Sequence, residues 1–178
     1  LIDLFYNKTK KSKRMIGAQD CSEKESGAYT GEVSPSMLKD IGAQSVILGH
    51  SERRQYQEES NKLICSKAKN ALNNNLITIV CIGESLNQKK SGKTLRVIGE
   101  QLKKSLPEKI KSNNLVIAYE PIWAIGSGLV ADNDDIYKVH SFISAKLKSR
   151  YGNKAKKIKI LYGGSAVSYT HLRAHETL

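Results

Sequence analysis

The run Leu76-Ile77-Thr78-Ile79-Val80-Cys81-Ile82-Gly83 is apolar or β-branched almost throughout, and Glu84 follows it. A strand with one face in water alternates apolar and polar residues. A run without alternation fits a strand buried on both faces of a parallel sheet. Four further stretches carry the same signature: Arg14–Gln19, Ser45–His50, Leu115–Glu120 and Ile158–Gly164. Successive starts lie roughly 30 to 45 residues apart, room for one crossover helix each.

Helical signals fill the intervals. Ser34 before Pro35 reads as an N-cap with proline at the first helical position, and Gly42 closes that short helix. Leu63, Ile64, Ala68, Ala71 and Leu72 form one face of a helix capped by Ser60. A second face is Leu95, Ile98, Leu102 and Leu106; a third is Ile136, Val139, Ile143 and Leu147. Strict alternation of strands and helices predicts an α/β fold, with no internal domain boundary. Polar and glycine residues gather at the carboxyl ends of the strands: Gln19-Asp20, His50, Gly83-Glu84, Glu120 and Gly163-Gly164-Ser165. Barrels and open doubly wound sheets both build their sites there, so this pattern leaves the two architectures open. No G-x-G-x-x-G follows any strand, which argues against a dinucleotide fold.

Composition narrows the function classes. The 178 residues carry 29 Lys and Arg against 17 Asp and Glu, a net charge of +12. Basic clusters at Lys8–Arg14 and Lys154–Lys159 lack interleaved aromatics and read as a solvated face; a nucleic-acid-binding module stays as the rival reading. Cys21, Cys65 and Cys81 form no C-x-x-C, which argues against a disulfide framework or a zinc site. No apolar run spans a membrane, and Leu1–Tyr6 shows no secretory leader, so a cytoplasmic location is expected.

Three strand ends carry chemistry. Glu120, followed by Pro121, stands at a rigid exit where partial desolvation makes a carboxylate a better base, or where it pairs with a lysine. His50 opens a helical segment, Ser51-Glu52-Arg53-Arg54, whose positive dipole end favours a neutral imidazole; a histidine satisfied in the core is the alternative. The stretch from Pro121 to Ala131 joins a proline, an apolar middle and two glycines, Gly126 and Gly128, in the manner of a closing loop, though its apolar residues would equally suit a core. Gly163-Gly164-Ser165 offers unhindered N–H groups to an anion, or simply a tight turn.

Four motifs taken together resemble the triosephosphate isomerase family: Gly49-His50-Ser51-Glu52-Arg53-Arg54, Cys81-Ile82-Gly83-Glu84, Ala118 through Gly128, and Tyr162-Gly163-Gly164-Ser165. The resemblance runs from about Ile16 to Ala166 and looks bacterial. It implies a (β/α)₈ barrel, a homodimer and a cofactor-free, metal-free isomerase of triose phosphates in glycolysis and gluconeogenesis. Glu120 then matches the proton-moving base and His50 the electrophile. Gly126 and Ser165 match backbone donors to the substrate phosphate. Glu84 and Trp123 resemble a latch for the open lid, Tyr162 its closed-state partner, and Ser51 the residue that holds the resting base. Gln19–Glu32 resembles the loop inserted into the neighbouring subunit, with Thr30 near that subunit's site. Leu129 replaces a more polar lid residue and is expected to face away from the chemistry.

Against that pattern the chain supplies strands three to seven of eight. The family's Asn-x-Lys and its last Gly-Gly phosphate loop are missing, so the chain by itself is expected to be inactive and open-cored. Residues 1–166 read as a partial barrel. Val167–Thr177 resembles a translated sequencing-library adapter, which makes 167–178 a foreign tail; His171 and His175 within it are not read as metal ligands.

Overall fold

The computed structural model describes residues 1–9, 11–110 and 113–164. Ser165 and the 167–178 segment lie outside the described residues. Along the chain run α1 (Ile2–Thr9), β1 (Gly17–Ala18), α2 (Pro35–Asp40), β2 (Ser45–Leu48), α3 (Ser51–Tyr56), α4 (Asn61–Asn73) and β3 (Ile77–Ile82). They are followed by α5 (Leu86–Lys90), α6 (Thr94–Ser105), β4 (Leu115–Tyr119), α7 (Asn133–Tyr151) and β5 (Lys159–Tyr162). Short 3₁₀ turns cover Ile122–Ala124 and Gly152–Lys157.

The five strands of the described residues are all parallel and stand in sequential order, β1-β2-β3-β4-β5. A doubly wound sheet reverses its strand order at a switch point. The order found here does not reverse, and it is the arrangement of consecutive staves in a barrel.

The two faces of the sheet differ. Residues turned to the helices, Val46, Leu48, Val80, Leu115 and Ile117, are fully buried against Ile64, Ala68, Ile98 and Ile143. Their neighbours on the other face, Ile47, Ile77, Ile79 and Val116, are only half-buried. Two-sided burial, expected from the unbroken apolar runs, is therefore complete only at the carboxyl ends of β3 and β4, where Cys81, Ile82, Ala118 and Tyr119 are buried.

Caps explain where the helices begin. Ser34, Ser60 and Asp132 each accept a backbone N–H from three residues ahead. Not every helix is set by a buried apolar face. Helix α5 is a single turn set by a capping box between Ser85 and Gln88, and α1 buries none of its residues. Strand β1 is shorter than the Arg14–Gln19 run predicts, because only Gly17 and Ala18 find partners, Ser45 and Val46, in β2.

Candidate active site

Glu120 directly follows β4, and its backbone N–H donates to Ile82 O of β3 at 2.8 Å. A Cβ on Gly83 would lie 1.7 Å from the carbonyl oxygen of Glu120, so only glycine permits that approach. The Gln101 side chain clamps Gly83 from α6, accepting from its N–H at 2.8 Å and donating to its carbonyl at 3.0 Å. On the β5 side, Gly163 packs against the Glu120 side chain and donates its N–H to Tyr119 O at 2.8 Å.

The carboxylate of Glu120 is 13% exposed and stands 3.8 Å, Oε2 to Nε2, from His50. Cys81 donates its thiol to Oε1 at 3.2 Å. Burial drives the Glu120 carboxyl above the usual carboxylate range; the Cys81 thiol, His50, the backbone N–H of Ser51 and Arg54 pull the other way without cancelling it. Ser51 thus reaches the Glu120 carboxylate through its backbone.

His50 is the N-cap of α3, and its Nδ1 accepts the N–H of Glu52 at 3.3 Å. With Nδ1 accepting, a neutral ring carries its proton on Nε2, the nitrogen that faces Glu120. Arg54 braces the pair from behind, donating to Gly49 O at 2.7 Å and to Cys81 O at 2.9 Å. His50, Glu120, Ile125, Gly126, Gly163 and Gly164 line a cavity of about 340 Å³. A larger cavity of about 790 Å³ lies among α4, α6 and α7, but it carries no comparable acid–base pair.

The segment after Glu120 is pinned at its start. Trp123 donates Nε1–H to Glu84 Oε1 at 2.8 Å, and the Tyr119 hydroxyl donates to the same oxygen at 3.2 Å. Tyr162 packs against Trp123, Ala124, Ala131 and Ile136. Burial pushes its phenol up, while the backbone N–H of Ala131, at the far end of the segment, pulls it down. Leu129 is exposed.

Asp20 and Thr30 do not join this site. Thr30 is exposed in the loop that follows β1, and Asp20 pairs with Lys67 at 2.8 Å and with Arg53 at 2.8 Å. Motifs alone do not reveal the supporting residues. Cys81 and Arg54 stand inside motifs quoted above, but their contacts to Glu120 and to backbone carbonyls are not written there, and Gln101 reaches Gly83 from α6 with no local pattern to announce it. The lysine-rich stretch 154–157 forms an exposed 3₁₀ turn.

Parallel strands in sequential order, with a carboxylate and an imidazole facing each other at their carboxyl ends, define a protein of the β/α-barrel class. The chain belongs to the triosephosphate isomerase family, whose sequence profile, described as Triosephosphate isomerase, matches residues 2–173. Triosephosphate isomerase of Brucella melitensis biotype 1 is 50% identical over 150 residues, covering 84% of this chain and 59% of that protein. The enzyme from Bradyrhizobium sp. (strain ORS 278) is 46% identical over 93% of this chain and 66% of its own length. The crystal structure of triosephosphate isomerase from Bartonella henselae superposes with a TM-score of 0.86 at 38% identity, covering 93% of this chain and 67% of that one. The chain thus spans about three-fifths of the length of the Brucella relative.

Proposed function

We propose that the protein to which this chain belongs is a triosephosphate isomerase, interconverting dihydroxyacetone phosphate and D-glyceraldehyde 3-phosphate through an enediolate. One observation carries the reading: a buried carboxylate with a raised pKa faces, at 3.8 Å, an imidazole whose other nitrogen accepts a backbone N–H. Glu120 removes a proton from the carbon beside the carbonyl and returns it to the neighbouring carbon. The Nε2–H of His50 polarises the carbonyl oxygen and stabilises the enediolate. Such a carboxylate and neutral imidazole are this family's own standing illustration of environment-tuned acid–base chemistry.

Backbone N–H groups at Gly126 and Ser165 bind the substrate phosphate. The segment from Pro121 to Ala131 closes over it, because an enediolate phosphate open to water loses phosphate. Glu84 and Trp123 latch the open lid, Tyr162 holds it closed, and Ser51 holds the resting base. The protein works without cofactor or metal as a cytoplasmic homodimer, in which Gln19–Glu32 enters the neighbouring subunit and brings Thr30 to its site. Nucleic acid and membranes are not partners; among the described residues no helix is long and apolar enough to cross a membrane.

The test is a coupled assay on the product of the complete reading frame that contains this chain. Turnover of both triose phosphates, inhibited by the enediolate mimic 2-phosphoglycolate, is expected. A folded product that binds DNA with steep salt dependence and leaves triose phosphates untouched would overturn the reading.

A further inference from the structure

Trp123, at the start of the proposed lid, is held on two sides. Glu84 takes its indole N–H at the ring edge, and the Lys89 ammonium stands 3.8 Å above the ring centroid. A cation at that height is drawn to the negative face of the indole. Lys89 also forms an ion pair with Asp135, in the first turn of α7, just beyond the other end of the lid. One side chain on α5 therefore touches the lid's first turn and the helix onto which the lid leads.

Beside these contacts lies a cavity of about 270 Å³ lined by Glu84, Lys89, Tyr119, Asp135, Lys138 and Val139. Glu84 is 1% exposed, and its Oε2 is buried without a hydrogen-bond partner among the described residues. Closing the lid by moving Trp123 would strip a donor from a carboxylate that already lacks one. A buried carboxylate left in that state opposes the motion. Lys89 is released from the ring by the same movement and borders the same cavity.

We propose that Lys89 is a positioning residue of the lid hinge: it clamps the Trp123 indole, stays moored to α7 through Asp135, and turns to the Glu84 carboxylate when the indole leaves. This rests on the isomerase reading for its purpose, though not for its test.

Trp123 is the only tryptophan in the 178-residue chain, so its fluorescence reports the hinge directly. In the full chain, Lys89→Met should raise acrylamide quenching of Trp123 at least twofold. Lys89→Arg, which keeps a cation over the ring, should restore the wild-type value, and Lys138→Met should leave it unchanged. Wild-type quenching in a folded Lys89→Met chain overturns the proposal, as does failure of Lys89→Arg to restore it. Should Lys89→Met lose its far-UV circular dichroism, Asp135→Asn carries the test: it should raise quenching by a smaller factor, and a wild-type value overturns the mooring. In the complete reading-frame product, Lys89→Met should shift kcat and KM together by a few-fold, with Lys89→Arg restoring both. A frame product without isomerase activity refutes the isomerase reading while the quenching result still decides the role of Lys89.

Discussion

Glu59 and Glu120 are both buried carboxylates, yet they titrate on opposite sides of the ordinary range. Burial works to raise Glu59, but hydrogen bonds from Lys67 at 2.6 Å and Arg53 at 2.8 Å outweigh it and hold the group low. Lys67 is correspondingly raised: burial opposes its charge, and its bonds to Asp20 and Glu59 win. Glu120 has a thiol and an imidazole for neighbours, and there burial wins. Asp20 shows how narrow the margin is, since burial still raises it despite its bonds to Lys67. The direction is set by the balance. Two close cations outweigh burial at Glu59; they do not at Asp20, where the Glu59 charge adds to burial, and at Glu120 no ion pair of that closeness opposes it. The paired carboxylate becomes a staple between β1, α3 and α4, and the poorly paired one remains available for a proton.

Substitutions can break this contrast. The largest effect is expected from Lys67→Met, which leaves Asp20 and Glu59 in the interior without their shared ammonium. Removing one partner from such a network costs about 3 kcal/mol. Urea unfolding should show the loss, and a change under about 1 kcal/mol would mean that the network is solvated. In the product of the complete reading frame, Glu120→Asp comes next: a carboxylate about 1 Å too short should lower kcat about 100-fold while KM moves little. Equal losses in both parameters would count against Glu120 as the base. Gly83→Ala forces a methyl into the Glu120 carbonyl, and overpacking of this kind costs about 2 kcal/mol. Unchanged thermal stability there would mean that the backbone yields freely.

The finest test is pH. Glu59, held below its unfolded value of 4.5, contributes stability that is present above pH 4.5 and lost as pH falls through its folded pKa. Glu120, raised above 4.5, contributes the reverse: its stabilising term is full below pH 4.5 and lost as pH rises through the folded value. Glu120→Gln should therefore gain stability over the wild type as pH climbs above 4.5, when both are unfolded in urea at a series of pH values. A gap that stays constant with pH would place Glu120 among ordinary carboxylates. In the active protein, kcat/KM should fall toward acid with a midpoint above the usual carboxylate range.

Much of the fold is legible in the order of the amino acids. Near-continuous apolar runs locate all five strands, and Ser34, Ser60 and the i, i+3, i+4 faces locate the larger helices, because burial imprints its own period on each segment. Helix α5 is signalled only by Ser85-Leu86-Asn87-Gln88, since one turn is too short for a hydrophobic period to register. Strand β1 falls short of its apolar run because its length depends on what β2 offers it rather than on its own residues.

Glu120 and His50 stand out in the order of amino acids as candidates for base and electrophile: each lies at a strand's carboxyl end, and each sits in a motif distinctive enough to name the family. What tunes and surrounds them is set by packing between distant segments. Cys81 meets Glu120 across 39 residues, Trp123 meets Glu84 across 39, and Lys67 meets Asp20 across 47. The two kinds of signal differ in range. Period and capping act within a few residues, whereas a carboxylate's pKa depends on whichever charges and donors the packed sheet and helices bring within a few ångströms.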